Sequence, residues 1–308
     1  MNKLDLYVTL STFAEVDPEP LYVLERSGLR FGVNMTGKRP SAEEVRKNFG
    51  GAAVLVAGVE EYAAPILTHL YQEGLRCISR CGVGMENINL EAAKKLGIKI
   101  LNTPEEPVQA VAEHTLCLIL ALLRNLPEIN CDTKEGKWKR HTGNLLQGKK
   151  LGIIGYGRIG KKTAALAKAF GADVLVLDPA AERQSEDEIA LNLDDLLSRS
   201  DIVSLHCPPG AVLLQGKDLQ KMKRGAWLVN TARGGLVEEE ALVEALNEGR
   251  LAGVALDVFS QEPYGGALLQ NPKAILTPHQ ATLTKETRIA MEVKAVKNGI
   301  AFLKSAKR

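Results

Sequence analysis

Along the chain, short apolar runs rich in β-branched residues alternate with longer stretches whose apolar positions recur every three or four residues. The first half carries such runs at Leu6–Leu10, Leu29–Val33, Ala53–Ala57, Cys77–Arg80 and Ile98–Asn102. A second series begins near Lys150, at Leu151–Ile154, Val174–Leu177, Ile202–Leu205, Trp227–Val229, Gly253–Leu256 and Ala274–Leu276. Strands alternating with helical stretches predict an α/β fold with parallel sheets. Runs that are apolar almost throughout suit strands covered on both faces. Ser41-Ala-Glu-Glu44 reads as a capping box that opens a helix. The stretch Val108–Leu123 is almost wholly apolar, so it must be buried on more than one side, in a core or at a subunit interface. The last helix, from about Lys285 to Lys304, carries Ile289, Val293, Val296, Ile300 and Leu303 as one stripe. That stripe needs a surface to cover, and the N-terminal domain can supply it.

The second series contains a glycine motif. Leu151-Gly-Ile-Ile-Gly155-Tyr-Gly157-Arg-Ile-Gly160 is a strand running into G-x-G-x-x-G and then a helix. Gly155 permits the tight turn, Gly157 lets backbone amides approach a pyrophosphate, and Gly160 lets helix and strand pack closely. The next strand ends in Asp178, 18 residues after Gly160. A carboxylate there can accept hydrogen bonds from both adenosine ribose hydroxyls and repel a 2′-phosphate, which predicts NAD rather than NADP. Six strands is the number a full doubly wound dinucleotide-binding sheet of the Rossmann type requires.

The remaining strands of that series also end in polar residues. They lead into His206-Cys207, Asn230-Thr231-Ala232-Arg233, Asp257 followed by Glu262, and Pro278-His279. Ligands of an open parallel sheet bind outside the carboxyl ends of its strands, so these residues line one edge. There Arg233 can hold a substrate carboxylate in a fork and polarise the adjacent carbonyl. His279 can give or take the hydroxyl proton while hydride moves to or from a nicotinamide. Glu262 can accept the other imidazole N–H and fix the tautomer.

Composition narrows the partners. A length of 308 residues predicts about two domains. Lys+Arg total 39 and Asp+Glu 37, a net +2, so no basic excess favours nucleic acid. The longest unbroken apolar stretch, Leu116–Leu123, is far short of the roughly 20 residues of a membrane span. The N-terminus lacks a signal-peptide pattern. Five cysteines with no C-x-x-C pair predict reduced thiols in a cytoplasmic protein and no zinc site, and no metal is expected.

The sequence resembles the D-isomer-specific 2-hydroxyacid dehydrogenases, and within them the phosphoglycerate dehydrogenase branch. The resemblance rests on Gly82–Leu90, Gly152–Gly160, Asn230–Gly235, Ala255–Pro263 and Thr277–His279. It implies that Arg233, Glu262 and His279 are the catalytic set. It implies an NAD site lined by Arg158, Ile159, Asp178, Cys207, Thr231 and Asp257, with Asp257 meeting the nicotinamide carboxamide. His206 and Ala232, at the same strand ends, are counted with them. It implies that backbone amides at Val83 and Gly84 grip the substrate carboxylate. It also implies a flavodoxin-like substrate domain, residues 1–103 and 283–308, beside an NAD-binding domain, residues 104–282. The helix after Pro107 is a dimer element in relatives, which favours a homodimer built on Leu116, Ile119, Leu120 and Leu123.

There are departures from the family pattern. Glu86 and Asn89 stand where Asp is usual, the loop after His206 is short, and, with the sequence stopping soon after the last helix, a C-terminal regulatory domain is not expected. The branch suggests 3-phosphoglycerate and 3-phosphohydroxypyruvate as substrates. Arg80 is then the expected phosphate partner, ahead of Lys139 and Arg140. The alternatives are an unphosphorylated keto acid such as hydroxypyruvate or glyoxylate, or an NADH-sensing interaction protein with little turnover. A formate dehydrogenase is disfavoured by the acidic Glu262.

Overall fold

The computed structural model describes residues 3–48, 51–180 and 187–306. The chain divides into two compact units, Met1–Pro107 with Thr282–Arg308, and Val108–Ala281.

The first unit runs β1 (Leu6–Val8), α1 (Glu19–Glu25), β2 (Phe31–Val33), α2 (Ala42–Asn48), β3 (Val54–Ala57), α3 (Ala64–Glu73), β4 (Cys77–Arg80), α4 (Leu90–Leu96) and β5 (Lys99–Leu101). Its strands form a parallel sheet in the order β2-β1-β3-β4-β5, the flavodoxin order. Because successive side chains of a strand point to opposite faces, one strand serves two cores. Val54 and Val56 pack with Leu24, Ala295 and Val296, whereas Leu55 and Ala57 pack with Leu67 and Leu70. The capping box forms as expected: the Glu44 amide donates to Ser41 Oγ at 3.2 Å, and the Ser41 amide to Glu44 Oε2 at 2.7 Å.

The second unit runs α5 (Val108–Leu123), α6 (Leu126–Lys134), β6 (Lys150–Ile154), α7 (Arg158–Ala169), β7 (Asp173–Leu177), β8 (Glu188–Ile189), α8 (Leu193–Arg199), β9 (Ile202–Leu205), α9 (Gly216–Leu219), β10 (Ala226–Asn230), α10 (Glu239–Asn247), β11 (Leu251–Leu256) and β12 (Ala274–Leu276). All pairs are parallel, and the order is β12-β11-β10-β9-β6-β7-β8. Among the described residues the sheet has seven strands rather than the six expected. The extra strand, β8, pairs only Glu188 and Ile189 with β7, too short and too polar to show as an apolar run. The order reverses between β6 and β9, which is where such a sheet opens a ligand crevice.

Two helices depart from expectation. On α5, Leu116, Ile119 and Leu123 are 7%, 1% and 1% exposed, packed with Ile153, Val176 and Val229 of their own sheet. The apolar face expected at a subunit interface is therefore core, and it gives no support to a dimer. The final helix, α11 (Lys285–Ala306), belongs to the first unit. It buries Met291, Glu292, Ala295, Val296, Gly299 and Leu303, while Ile289, Val293 and Ile300 are only half-buried. The contact face is rotated because the helix comes very close to the sheet. A Cβ on Gly299 would lie 2.9 Å from Val54 Cγ1, and Ser79 Oγ donates to the Ala295 carbonyl at 2.7 Å. Small residues, not the larger aliphatic ones, permit that approach. No single described helix is long and apolar enough to cross a membrane.

Candidate active site and dinucleotide cradle

β6 delivers the glycine loop to the point where the strand order reverses. Gly155 has φ +94°, and a Cβ there would lie 2.6 Å from the Cys207 amide nitrogen at the end of the neighbouring β9. Only hydrogen fits. A Cβ on Gly160 would lie 2.1 Å from the Gly155 carbonyl oxygen, so α7 can seat against the loop only with glycine there. Gly157 is different: it caps α7 without a side-chain hydrogen bond, and a Cβ on it meets nothing within 4 Å. The loop is therefore open at Gly157, where α7 begins, with the positive end of the helix behind it. That is the cradle a pyrophosphate requires, and it fits NAD.

The surroundings are consistent. Asp178, just past β7, accepts from the Tyr156 amide at 2.6 Å and the Ala180 amide at 2.7 Å, so its carboxylate stands beside the glycine loop. Arg158 and Ile159 form the first turn of α7. Burial pushes the His206 imidazole down to about 4, so the ring is neutral at pH 7, with Nε2 2.9 Å from Ser204 Oγ. Burial also raises the Cys207 thiol, which is thus not a thiolate. Thr231 is buried, its hydroxyl 2.9 Å from that of Thr115 on α5.

The three expected catalytic residues leave three adjacent strands, β10, β11 and β12. His279 Nδ1 lies 2.9 and 3.1 Å from the two Glu262 oxygens. Oε1 of Glu262 also accepts the Phe259 amide at 3.1 Å, which fixes the carboxylate. With Nδ1 engaged, Nε2 is the ring atom left for a substrate proton. The pair is open, with side chains 52% and 40% exposed, so it contributes little to stability and serves to orient the ring.

Arg233 opens a 3₁₀ turn, and Asn230 staples its loop: Nδ2 donates to the Arg233 carbonyl at 2.7 Å, and Oδ1 accepts the Ala232 amide at 3.0 Å. Gly234 then joins the Arg233 loop to the Glu262 loop. A Cβ on Gly234 would lie 1.9 Å from the Phe259 carbonyl carbon. A backbone atom cannot swing aside as a side chain does. Gly234→Ala should therefore destabilise the fold by about 1–3 kcal/mol, the usual cost of overpacking, and lower kcat by disturbing both loops. Thermal unfolding checks the first effect; an unchanged Tm with normal turnover would show that the two loops do not press together as described.

Asp257, expected to meet the nicotinamide carboxamide, is engaged by the protein itself. It is 0% exposed and lies beneath the His279 loop. Its oxygens accept from Thr277 Oγ1 at 2.6 Å, the Gln280 amide at 2.9 Å and the Ala281 amide at 3.0 Å. His114 Nε2 on α5 lies 3.4 Å from it and 3.2 Å from Thr277 Oγ1. Burial opposes ionisation, but the hydrogen bonds from His114, Thr277 and the two amides outweigh it and hold the carboxyl below its usual range. These bonds over-determine a loop in which His279 has φ +51°, a conformation such a residue adopts only when its surroundings impose it. His114 and Thr115, which the sequence reading passed over, thus join Asn230 and Thr277 in supporting these loops. The available signal was a His-Thr pair inside an otherwise apolar helix.

In the first unit, Arg80 is half-buried at the end of β4, Val83 is 40% exposed, and Gly84 is half-buried. The Gly82 amide donates to Thr103 Oγ1 at 2.8 Å and Asn102 Nδ2 to the Val83 carbonyl at 3.1 Å, which fixes this loop. Asn89 caps α4, its side chain accepting the Ala92 amide at 2.9 Å, a role in shaping structure rather than in chemistry. Elsewhere, Glu128, Asp132 and His141 gather within 4.8 Å. Lys137 and Lys139 lie 3.8 and 3.9 Å from Asp132 and Glu128, so side-chain cations already balance those carboxylates.

Residues 116–281 match the sequence profile of the D-isomer specific 2-hydroxyacid dehydrogenase NAD-binding domain. The chain belongs to that family. It is 39% identical over 242 residues to a D-3-phosphoglycerate dehydrogenase of Synechocystis, covering 75% of this chain and 44% of the relative. It is 40% identical over 245 residues to a glyoxylate reductase of Aeropyrum pernix, covering 74% and 73%. A crystal structure of D-lactate dehydrogenase from Aquifex aeolicus, complexed with NAD and lactic acid, superposes with a TM-score of 0.82 at 29% identity, covering 97% and 95%. The chain spans just under half the length of the curated phosphoglycerate dehydrogenases it matches.

Proposed function

We propose that this chain is a cytoplasmic, NAD-dependent dehydrogenase that interconverts a D-2-hydroxy acid and its 2-keto acid. The observation that carries the reading is the His279–Glu262 pair, held by the Asp257 network on the same sheet edge as the glycine loop and Asp178. Bound NAD supplies the hydride acceptor, or as NADH the donor. Gly155, Gly157, Gly160, Arg158 and Ile159 would hold its pyrophosphate, and Asp178 its adenosine ribose. His206, Cys207, Thr231 and Ala232, from neighbouring strand ends, would line the same crevice. Arg233 binds the substrate carboxylate and draws electron density from the adjacent carbonyl. His279 Nε2 delivers the proton to the carbonyl oxygen in reduction and removes it in oxidation, with Glu262 supporting the charged ring. Neither step calls for a metal. The test is loss of NADH absorbance with a panel of 2-keto acids. NADH binding without turnover of any acid would instead favour a sensing protein.

We also propose a homodimer, on a different surface from the one the sequence suggested. Helix α6 buries none of its residues, and Leu126, Trp138 and Leu145 in and after it are 56%, 86% and 69% exposed. Large apolar side chains gathered in one exposed segment mark an interaction surface. Light scattering at low micromolar concentration should return twice the mass of one chain, and Trp138→Glu should shift the protein toward monomer. A single-chain mass for the unmodified protein would sink the proposal. All five cysteines are free, in keeping with a reducing compartment.

The named relatives divide between a phosphorylated substrate and glyoxylate. What separates these acids is the charge at the end of the molecule away from the carboxylate.

A further inference from the structure

Glu262 lies in the loop between β11 and the 3₁₀ turn Ala267–Gln270, and Ser260, Gln261, Glu262 and Pro263 are all exposed. An exposed loop has few buried contacts to restrain it and is mobile by default. Its carboxylate must nevertheless meet His279 Nδ1 at hydrogen-bond distance to steer the ring. The Phe259 amide, which donates to Oε1, fixes the carboxylate only relative to its own loop.

The two residues that flank the exposed stretch restrain the loop itself. The rings of Phe259 and Tyr264 are stacked, with centroids 4.4 Å apart and planes 23° apart, so they close the loop at its base. Such aromatic pairs are favourable beyond the area they bury. Both rings are half-buried against the core of the second unit. The Tyr264 hydroxyl then ties the base of the loop to its surroundings. It donates to Oε1 of Glu239, the first residue of α10, and accepts the Leu268 amide at 3.2 Å. Helix α10 is seated by buried Ala241, Leu242, Ala245 and Leu246, and Leu268 is itself buried, so both anchors are fixed. Burial and the Glu239 carboxylate push the Tyr264 hydroxyl up to about 12, which keeps it a donor at neutral pH. A Cβ on Gly266 would press on both the Glu239 carboxylate and the Tyr264 hydroxyl, so glycine lets the chain close over their hydrogen bond. None of these groups takes part in the chemistry proposed above.

We propose that Tyr264 is a positioning residue: through its stack on Phe259 and its hydroxyl bonds to Glu239 and Leu268, it holds Glu262 against His279. Its effect falls on proton transfer, because the substrate carboxylate is bound by Arg233, whose loop is stapled by Asn230. The proposal rests on the dehydrogenase reading above.

The experiment is a double-mutant cycle in steady-state kinetics, with NADH and the keto acid that the unmodified enzyme turns over fastest. Tyr264→Leu removes both the stack and the hydroxyl. It should lower kcat by about tenfold, less than the roughly 10²-fold cost of a full 1 Å misplacement. KM for the keto acid should change by less than about twofold, as expected when ground-state binding is untouched. In a Glu262→Gln background the charge to be positioned is gone, so Tyr264→Leu should lower kcat by less than about a further twofold. A role in folding alone would give the same fold-loss in both backgrounds. That result, or an unchanged kcat in Tyr264→Leu, overturns the inference and leaves the dehydrogenase reading intact. Should Tyr264→Leu fail to fold, Tyr264→Phe, which retains the stack, carries the same cycle. Its loss should be about threefold and confined to the chain with Glu262; a loss independent of Glu262, or none, overturns the inference. Absence of turnover of any acid by the unmodified enzyme, despite NADH binding, overturns both readings.

Discussion

His279→Ala will leave NADH binding nearly intact and lower kcat by about 10²–10⁴-fold, the usual worth of a positioned acid–base group. The structure explains why the loss should fall on turnover. His279 touches Glu262 and its own loop but none of the glycine-loop residues among its hydrogen-bond partners. Its pair with Glu262 is too exposed to hold much folding energy, so the variant should remain folded. Glu262→Gln should lower kcat by less. It retains an oxygen for the Phe259 amide and removes only the negative charge beside the ring. Stopped-flow binding of NADH together with steady-state kinetics separates the two effects. A His279 variant that reduced keto acids at the parent rate would show that the proton comes from elsewhere.

Replacing Asp178 should have the second-largest effect, on the choice of cofactor. Asp178→Ser should reduce the preference for NADH over NADPH, in kcat/KM, by roughly 10–100-fold, the scale of charge-assisted hydrogen bonds of ~1.5–3 kcal/mol. Two causes act together. The ribose hydroxyls lose a charged acceptor, and the negative charge that opposes a 2′-phosphate disappears. A third consequence comes from the structure itself. Asp178 also accepts the Tyr156 amide at 2.6 Å, so the variant slackens the glycine loop and NADH affinity falls in absolute terms. Equal use of NADH and NADPH by the unmodified protein would remove Asp178 from the ribose site.

Features that depend on neighbours in the chain were legible in the sequence. Eleven of the twelve strands among the described residues show as apolar runs, and the glycine loop with Asp178 is a local pattern whose physics travels with it. The capping box at Ser41 is of the same kind. The features that escaped are set by distance in space. His114 and Thr277 meet although they are 163 residues apart, and nothing local in either segment announces the other. Asp257 reads as a strand-end polar residue, and nothing near it announces the Gln280 and Ala281 amides that return to it. On α5, composition required burial but could not say against what; the helix covers its own sheet.

The placement of α11 governs the order in which this protein matures on the ribosome. The sheet face bearing Leu6, Val54, Val56 and Cys77 is closed by Ala295, Val296 and Leu303, in a helix translated after every strand of both sheets. Residues 108–281, encoded between the two parts of the first unit, hold a complete set of elements before that helix emerges. The unit whose synthesis starts first therefore finishes folding last. Until then its open apolar face is a surface for chaperones or for aggregation. A nascent chain stalled after Ala281 would carry a finished glycine loop and His279–Glu262 pair while the sheet of the first unit was still unfinished.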